Sequence, residues 1–188
     1  MGIGQKIAQI VSGNSIYLNP PQWTDKSFPL TQVKLGILDK PDFDFTELGL
    51  LFPQNDTSEK IFILDQMWHQ KKLDTPLRLH VHFVQTSALL PNFTCEYRYY
   101  NNGDVIPGWT TVNTDAGAGP VITYPGSGSI VNLVRFPDIV PPSPENISAI
   151  LDMIIYRNDN RITGDVLTKY VDYHFQADSS GSRQEFQK

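Results

Sequence analysis

The chain reads as an all-β protein: an antiparallel β-sandwich of jelly-roll type, with an extended N-terminal arm and a mobile C-terminal tail. Three observations predict this. Apolar and polar residues alternate over short runs, most cleanly in LRLHVHFVQ (77–85) and FTCEYRYY (93–100). Clusters rich in Gly, Pro, Asn and Asp break the chain at intervals of roughly 8–15 residues, the rhythm of a sandwich. Sustained helical periodicity, βαβ alternation and internal repeats are missing.

The elements follow in order. Ile3, Ile7, Ile10 and Val11 recur at helical spacing, which suits a short, marginal helix or an arm that orders against a neighbouring chain. Residues 13–57 read as a loop-rich extension, with NPPQW and DKPDFDF as turns and VKLGIL and LGLLF as short apolar pieces. KIFILDQMW (60–68) is rich in β-formers, and Lys71, Lys72 and DTP supply a turn. In the next strand Leu77, Leu79, Val81 and Phe83 face one way, and Arg78, His80 and His82 the other. In 93–100, Phe93, Cys95, Tyr97 and Tyr99 share one face, while Thr94, Glu96 and Arg98 share the opposite one. NNGD (101–104) is a turn signal. Further strands are expected in WTTVNT, PVITY, SIVNLVRF, AILDMIIYR and VLTKYVDYHFQ, and the polar tail ADSSGSRQEFQK closes the chain. The division expected is an arm and loop-rich extension over 1–57, a β-sandwich domain over 58–178, and a tail over 179–188.

Composition narrows the function. The 188 residues are 40% hydrophobic, and no run approaches the ~20 apolar residues of a spanning helix. Net charge is −5, and no basic cluster longer than Lys71-Lys72 occurs, so neither nucleic acid nor membrane is an expected partner. Cys95 is the single cysteine, which rules out an intrachain disulfide. The N-terminus lacks a secretory h-region, and Lys6 stands where a myristoylation signal has Ser or Thr. The sequons at Asn55, Asn92 and Asn146 therefore read as accidental, in a chain made in a reducing cytoplasm.

The one arrangement with metal chemistry is the His80-x-His82 pair. On a strand both imidazoles point the same way, about 6.5–7 Å apart at the backbone. A third ligand from another strand would complete a transition-metal site, with His174 the candidate and Asp172 on its face. The jelly-roll cupins use such a pair, but follow it with a glutamate ligand and bracket it with glycines. Here His82 is followed by FVQTSALL, with neither. The plainer expectation is a hairpin of 77–84 with 93–100, which would set Arg78, His80 and His82 beside Glu96 and Arg98 as polar pairs. No residue is assigned as a metal ligand on sequence alone, no cofactor is expected, and His80, His82 and His174 remain the candidates should an ion bind.

Other constellations are weaker. GSGS and GAG lack the lysine and strand-to-helix context of a phosphate loop, and a G-x-S-x-G elbow is missing. Cys95 falls on an apolar face, as a buried structural thiol does. Asp39, Asp42, Asp44 and Glu47 lack the central glycine of an EF-hand and read as a solvated loop. Trp23, Trp68 and Trp109 are either core residues or contact points for protein or sugar.

Four stretches in order carry a resemblance: DFTELGLLFP, QMWHQ just before LRLHVHFVQ, CEYRYYNNGDVIPGW, and VDYHFQADSSGSRQEFQK. Together they are similar to a family of small structural proteins of tailed bacteriophages. Those proteins carry an HVHW-type strand after a Met-x-His stretch, an EYxY-type strand, an acidic-His strand and a GSR tail. The resemblance spans about residues 40–188. It implies a non-enzymatic virion component with a β-sandwich core, present in many copies as a homo-oligomer and contacting other virion proteins. A head-accessory role, in decoration or the head-to-tail region, is the leading expectation. The alternatives are a receptor- or carbohydrate-binding module at a tail or fibre tip, and a cupin-like metalloenzyme.

Overall fold

The computed structural model describes residues 11–12, 15–31, 33–37, 39–54, 56–84, 90–114, 131–159 and 164–180. They contain twelve strands and no helix: β1 (Val11–Ser12), β2 (Ser15–Pro29), β3 (Lys34–Leu35), β4 (Asp42–Asp44), β5 (Gly49–Phe52), β6 (Lys60–Gln66), β7 (Arg78–Val84), β8 (Phe93–Tyr100), β9 (Thr110–Asn113), β10 (Asn132–Arg135), β11 (Ile150–Arg157) and β12 (Val166–Ser180). Every pairing is antiparallel, and the strands form two packed sheets. In sheet A, β12 pairs with β7 along one edge and with β5 and then β2 along the other; β10 extends the sheet beyond β7. Sheet B runs β3-β6-β11-β8-β9.

From β5 onward the chain crosses between sheets at nearly every step. β6, β8, β9 and β11 lie in sheet B, and β7, β10 and β12 in sheet A. The order β2/β5-β12-β7-β10 facing β6-β11-β8-β9 is that of a jelly roll. The core lies between the sheets, where the pleat sends alternate side chains inward. Leu79, Val81 and Phe83 on β7 and Val171, Tyr173 and Phe175 on β12 meet Ile61, Ile63, Cys95, Leu151, Met153 and Ile155 from sheet B.

Two irregularities set the phase of sheet A. Thr168 of β12 pairs with Phe83, yet Tyr170 pairs with His82, so Lys169 is an extra residue that bulges the strand. Thr168 therefore faces inward with Phe83, while Tyr170, Asp172 and His174 face outward. In the β2–β12 ladder, register shifts between Ala177↔Gln22 and Ser179↔Tyr17, and the residues passed over on β2 include Pro20 and Pro21. Proline cannot donate a ladder hydrogen bond, so the pairing is interrupted there.

Three of the sequence expectations change. The loop-rich extension supplies four strands, β2 to β5, and NPPQW lies within β2 instead of forming a turn. β12 also runs past the boundary set at 178. Finally, 77–84 and 93–100 are not a hairpin: β7 belongs to sheet A and β8 to sheet B. Their polar faces point to opposite outer surfaces, so Arg78, His80 and His82 lie across the whole core from Glu96 and Arg98. The expected strand PVITY, most of the N-terminal helical stretch and tail residues 181–188 lie outside the described residues.

Buried polar contacts fasten the loops to the sandwich. The Lys71 ammonium, 1% exposed, donates to Glu145 Oε2 at 2.6 Å, Thr75 O at 2.8 Å and Lys72 O at 3.2 Å, which uses all three of its N–H groups. Glu145 also accepts from the Tyr99 hydroxyl and from the Asp74 N–H at 2.8 Å, and its own N–H returns to the Asp74 carboxylate. Nearer β2, Tyr173 donates to Asp65 at 2.5 Å, and Lys26 pairs with the same carboxylate. Glu145→Leu alone should strand the Lys71 charge and lower stability by about 3–5 kcal/mol, whereas adding Lys71→Met should recover much of that loss. Urea denaturation measures both, and an equal loss in the single and double variants would contradict this account.

Candidate functional site

Four strands of sheet A bring the singled-out histidines together. On the outer face, register sets Arg135 of β10 beside His80 of β7, His80 beside Asp172 of β12, and Asp172 beside Ser27 of β2. One row along, Leu133, His82, Tyr170 and Pro29 are cross-strand neighbours. One row the other way, Arg78, His174 and Asp25 follow. The sequence placed His80 and His82 on one face and Asp172 with His174 on another; the β7–β12 pairing merges these into one patch.

Asp172 is the hub, 5% exposed. Its Oδ1 lies 2.9 Å from His82 Nε2 and 3.9 Å from His80 Nδ1, and its Oδ2 lies 3.6 Å from His174 Nε2. The His80 and His174 rings stand 4.5 Å apart edge to face, and His82 stacks on Tyr170 at 4.1 Å. His174 Nε2 also reaches Asp25 Oδ1 at 3.2 Å. His80, Asp172 and His174 each offer one ligand atom, all within 4.8 Å of one another. His80 Nδ1 is buried and has no hydrogen-bond partner. Burial pulls the pKa of this imidazole down to about 4, against the opposing pull of Asp172, with the His174, His82 and Arg135 charges adding to the fall. At neutral pH its ring is therefore uncharged.

Asp25 and Tyr170 are the members that sequence reasoning missed. Asp25 has no local signal, since it joins only through the register of β2, a strand whose proline interruption hides its alternation. The neighbouring cations are engaged elsewhere: the Arg78 guanidinium lies 4.0 Å from the centre of the Trp23 ring, and Arg135 pairs with Asp138.

Cys95 is fully buried on the inner face of β8, where burial pushes its thiol well above the usual range. Trp23, Trp68 and Trp109 are each partly exposed and each carry a cation over the ring, from Arg78, Lys26 and Arg98 respectively. Beside Trp109 a groove of about 550 Å³ runs over the outer face of sheet B, lined by Lys26, Phe28, Phe62, Leu64, Arg98 and Trp109 among others. No helix among the described residues is long and apolar enough to cross a membrane. Comparison with known proteins finds no match among protein-family models, curated proteins or solved structures.

In the acidic segment, Asp44 Oδ1 accepts the N–H groups of Thr46 at 2.8 Å and Glu47 at 3.0 Å, so this carboxylate caps a turn. Glu59 feels that segment's charge. Burial first, then Asp56, Asp42, Asp165 and Asp39, push its carboxyl from 4.5 up to about 6. A carboxyl raised on folding binds its proton more tightly in the folded chain. Its contribution is therefore present below pH 4.5 and lost as pH rises through about 6. Glu59→Gln should be more stable than the parent at pH 7.5, with the difference vanishing near pH 4.5. Thermal melts across that range test it, and a constant difference would refute it.

Proposed function

We propose that this chain is a non-enzymatic structural protein of a tailed-bacteriophage virion, a head-accessory subunit of the decoration or head-to-tail type, present in many copies. The observation that carries the reading is the outer face of sheet B. Leu64 is 76% exposed and Phe62 36%; Phe62 pairs with Ile154 and Leu64 with Asp152, and Trp109 at 43% lines the same groove. Val105 and Ile106 in the loop before β9 are exposed as well. Exposed apolar side chains gathered on one face are the kind of surface that marks a protein contact.

Two further points support the reading. The order of short motifs over residues 40–188 is similar to that of the phage family described above. The jelly roll is also a recurrent architecture of viral shells, whose subunits associate through faces and arms. The groove beside Trp109, with the Arg98–Asp152 pair at 2.5 Å on its floor, adds a polar anchor to an apolar contact.

Native mass spectrometry of the full chain tests this proposal. A closed oligomer, such as a trimer, pentamer or hexamer, is expected, and Leu64→Asp should shift it to monomer while the fold survives. The protein should also co-purify with phage particles in stoichiometric amounts. A strict monomer that is absent from particles would overturn the proposal. Saturable glycan binding lost in Trp109→Ala would move the chain to the tail-tip binding modules.

A further inference from the structure

The outer face of sheet A carries a site that the virion role does not call on. We propose that His80, Asp172 and His174 bind one divalent transition-metal ion of the zinc type, through His80 Nδ1, His174 Nε2 and the Asp172 carboxylate. Three lines of geometry lead there.

The first is donor spacing. Bonds of about 2.0–2.1 Å to a tetrahedral ion set its ligand atoms about 3.3 Å apart. His80 Nδ1 and His174 Nε2 stand 3.9 Å and 3.6 Å from the Asp172 oxygens. All three ligand atoms lie within 4.8 Å of one another, so side-chain rotations that draw them in by up to about 1.5 Å would close them round an ion.

The second is the unpartnered donor. His80 is 6% exposed, and its Nδ1 has no hydrogen-bond partner and lies on the Asp172 side of the ring. A buried polar atom left without a partner carries a desolvation cost, which a coordinate bond would remove.

The third is the supporting shell. His82 Nε2 lies 2.9 Å from Asp172 Oδ1 and orients the carboxylate so that Oδ2 faces His174. Outer partners of this kind hold a ligand in its binding geometry. Asp25, 3.2 Å from His174 Nε2, stands at the open side, where it or water would take the fourth position. Two imidazoles with a carboxylate favour borderline ions over calcium or magnesium, which take oxygen ligands.

The test uses full-length protein, expressed without an affinity tag and stripped with chelator. Cobalt(II) and zinc(II) are titrated into it with 5 mM magnesium present. One cobalt per chain with a tetrahedral visible spectrum, displaced by one zinc, is expected. His174→Asn, on the half-exposed side of the cluster, should weaken zinc binding at least ten-fold while leaving the melting temperature of the stripped protein nearly unchanged. His69→Asn, whose ring contacts Ser148 and which the cluster does not include, should bind as the parent does. Failure of the stripped parent to take up one equivalent of either ion would overturn the proposal. So would undiminished binding in His174→Asn.

Discussion

Everything in sheet A depends on the phase of one strand. β12 is paired along both edges, so its side chains have no freedom to choose a face. The bulge at Lys169 decides which residues go where. Without it the inward phase of Thr168 would continue to Tyr170, Asp172 and His174, while Val171, Tyr173 and Phe175 would turn to solvent. A buried carboxylate among aliphatic side chains is far more costly than a bulge. The same single-residue insertion therefore fills the core and builds the histidine cluster, and neither can be altered without the other.

The faces of the strands were legible because alternation is a local property. Leu79, Val81 and Phe83 against His80 and His82, or Phe93, Cys95, Tyr97 and Tyr99 against Glu96 and Arg98, could be sorted from residue types alone. Partners were not legible, because in a jelly roll the next strand in sequence usually belongs to the other sheet. Proximity along the chain suggested a hairpin of 77–84 with 93–100, whereas the true neighbours of 78–84 are strands about fifty and ninety residues further on. β2 escaped notice for another reason. Its inward positions include the polar Thr24 and Lys26, its outward ones the aromatic Trp23, and two prolines interrupt its rhythm, so it resembles a loop until β12 supplies a partner.

The candidate site was legible in its members and not in its geometry. His80, His82, Asp172 and His174 stood out by type and spacing, but what makes them a cluster is a register set by the bulge. Lys71 shows the opposite failure. A lysine doublet before DTP reads as a solvated turn, yet Lys71 is among the largest fully buried side chains because Glu145 awaits it from a segment seventy-four residues away. Networks of this kind, like that of Tyr173, Asp65 and Lys26, fix where loops end against the core and favour one packing over near alternatives.

The borders of the two sheets carry a further consequence. β1 covers only Ser15 and Ile16 of the fifteen-residue β2, and β3 covers only Ile61 and Phe62 of β6. Among the described residues the outer edges of Trp23–Pro29 and Ile63–Gln66 therefore carry no partner strand. An open strand edge is a row of backbone donors and acceptors that another chain can extend into a ladder. On β2 that row is broken by Pro20, Pro21 and Pro29, which have no N–H to offer, and it carries the charges of Asp25 and Lys26. The prolines that obscure this strand in the sequence are thus also what blunts its edge.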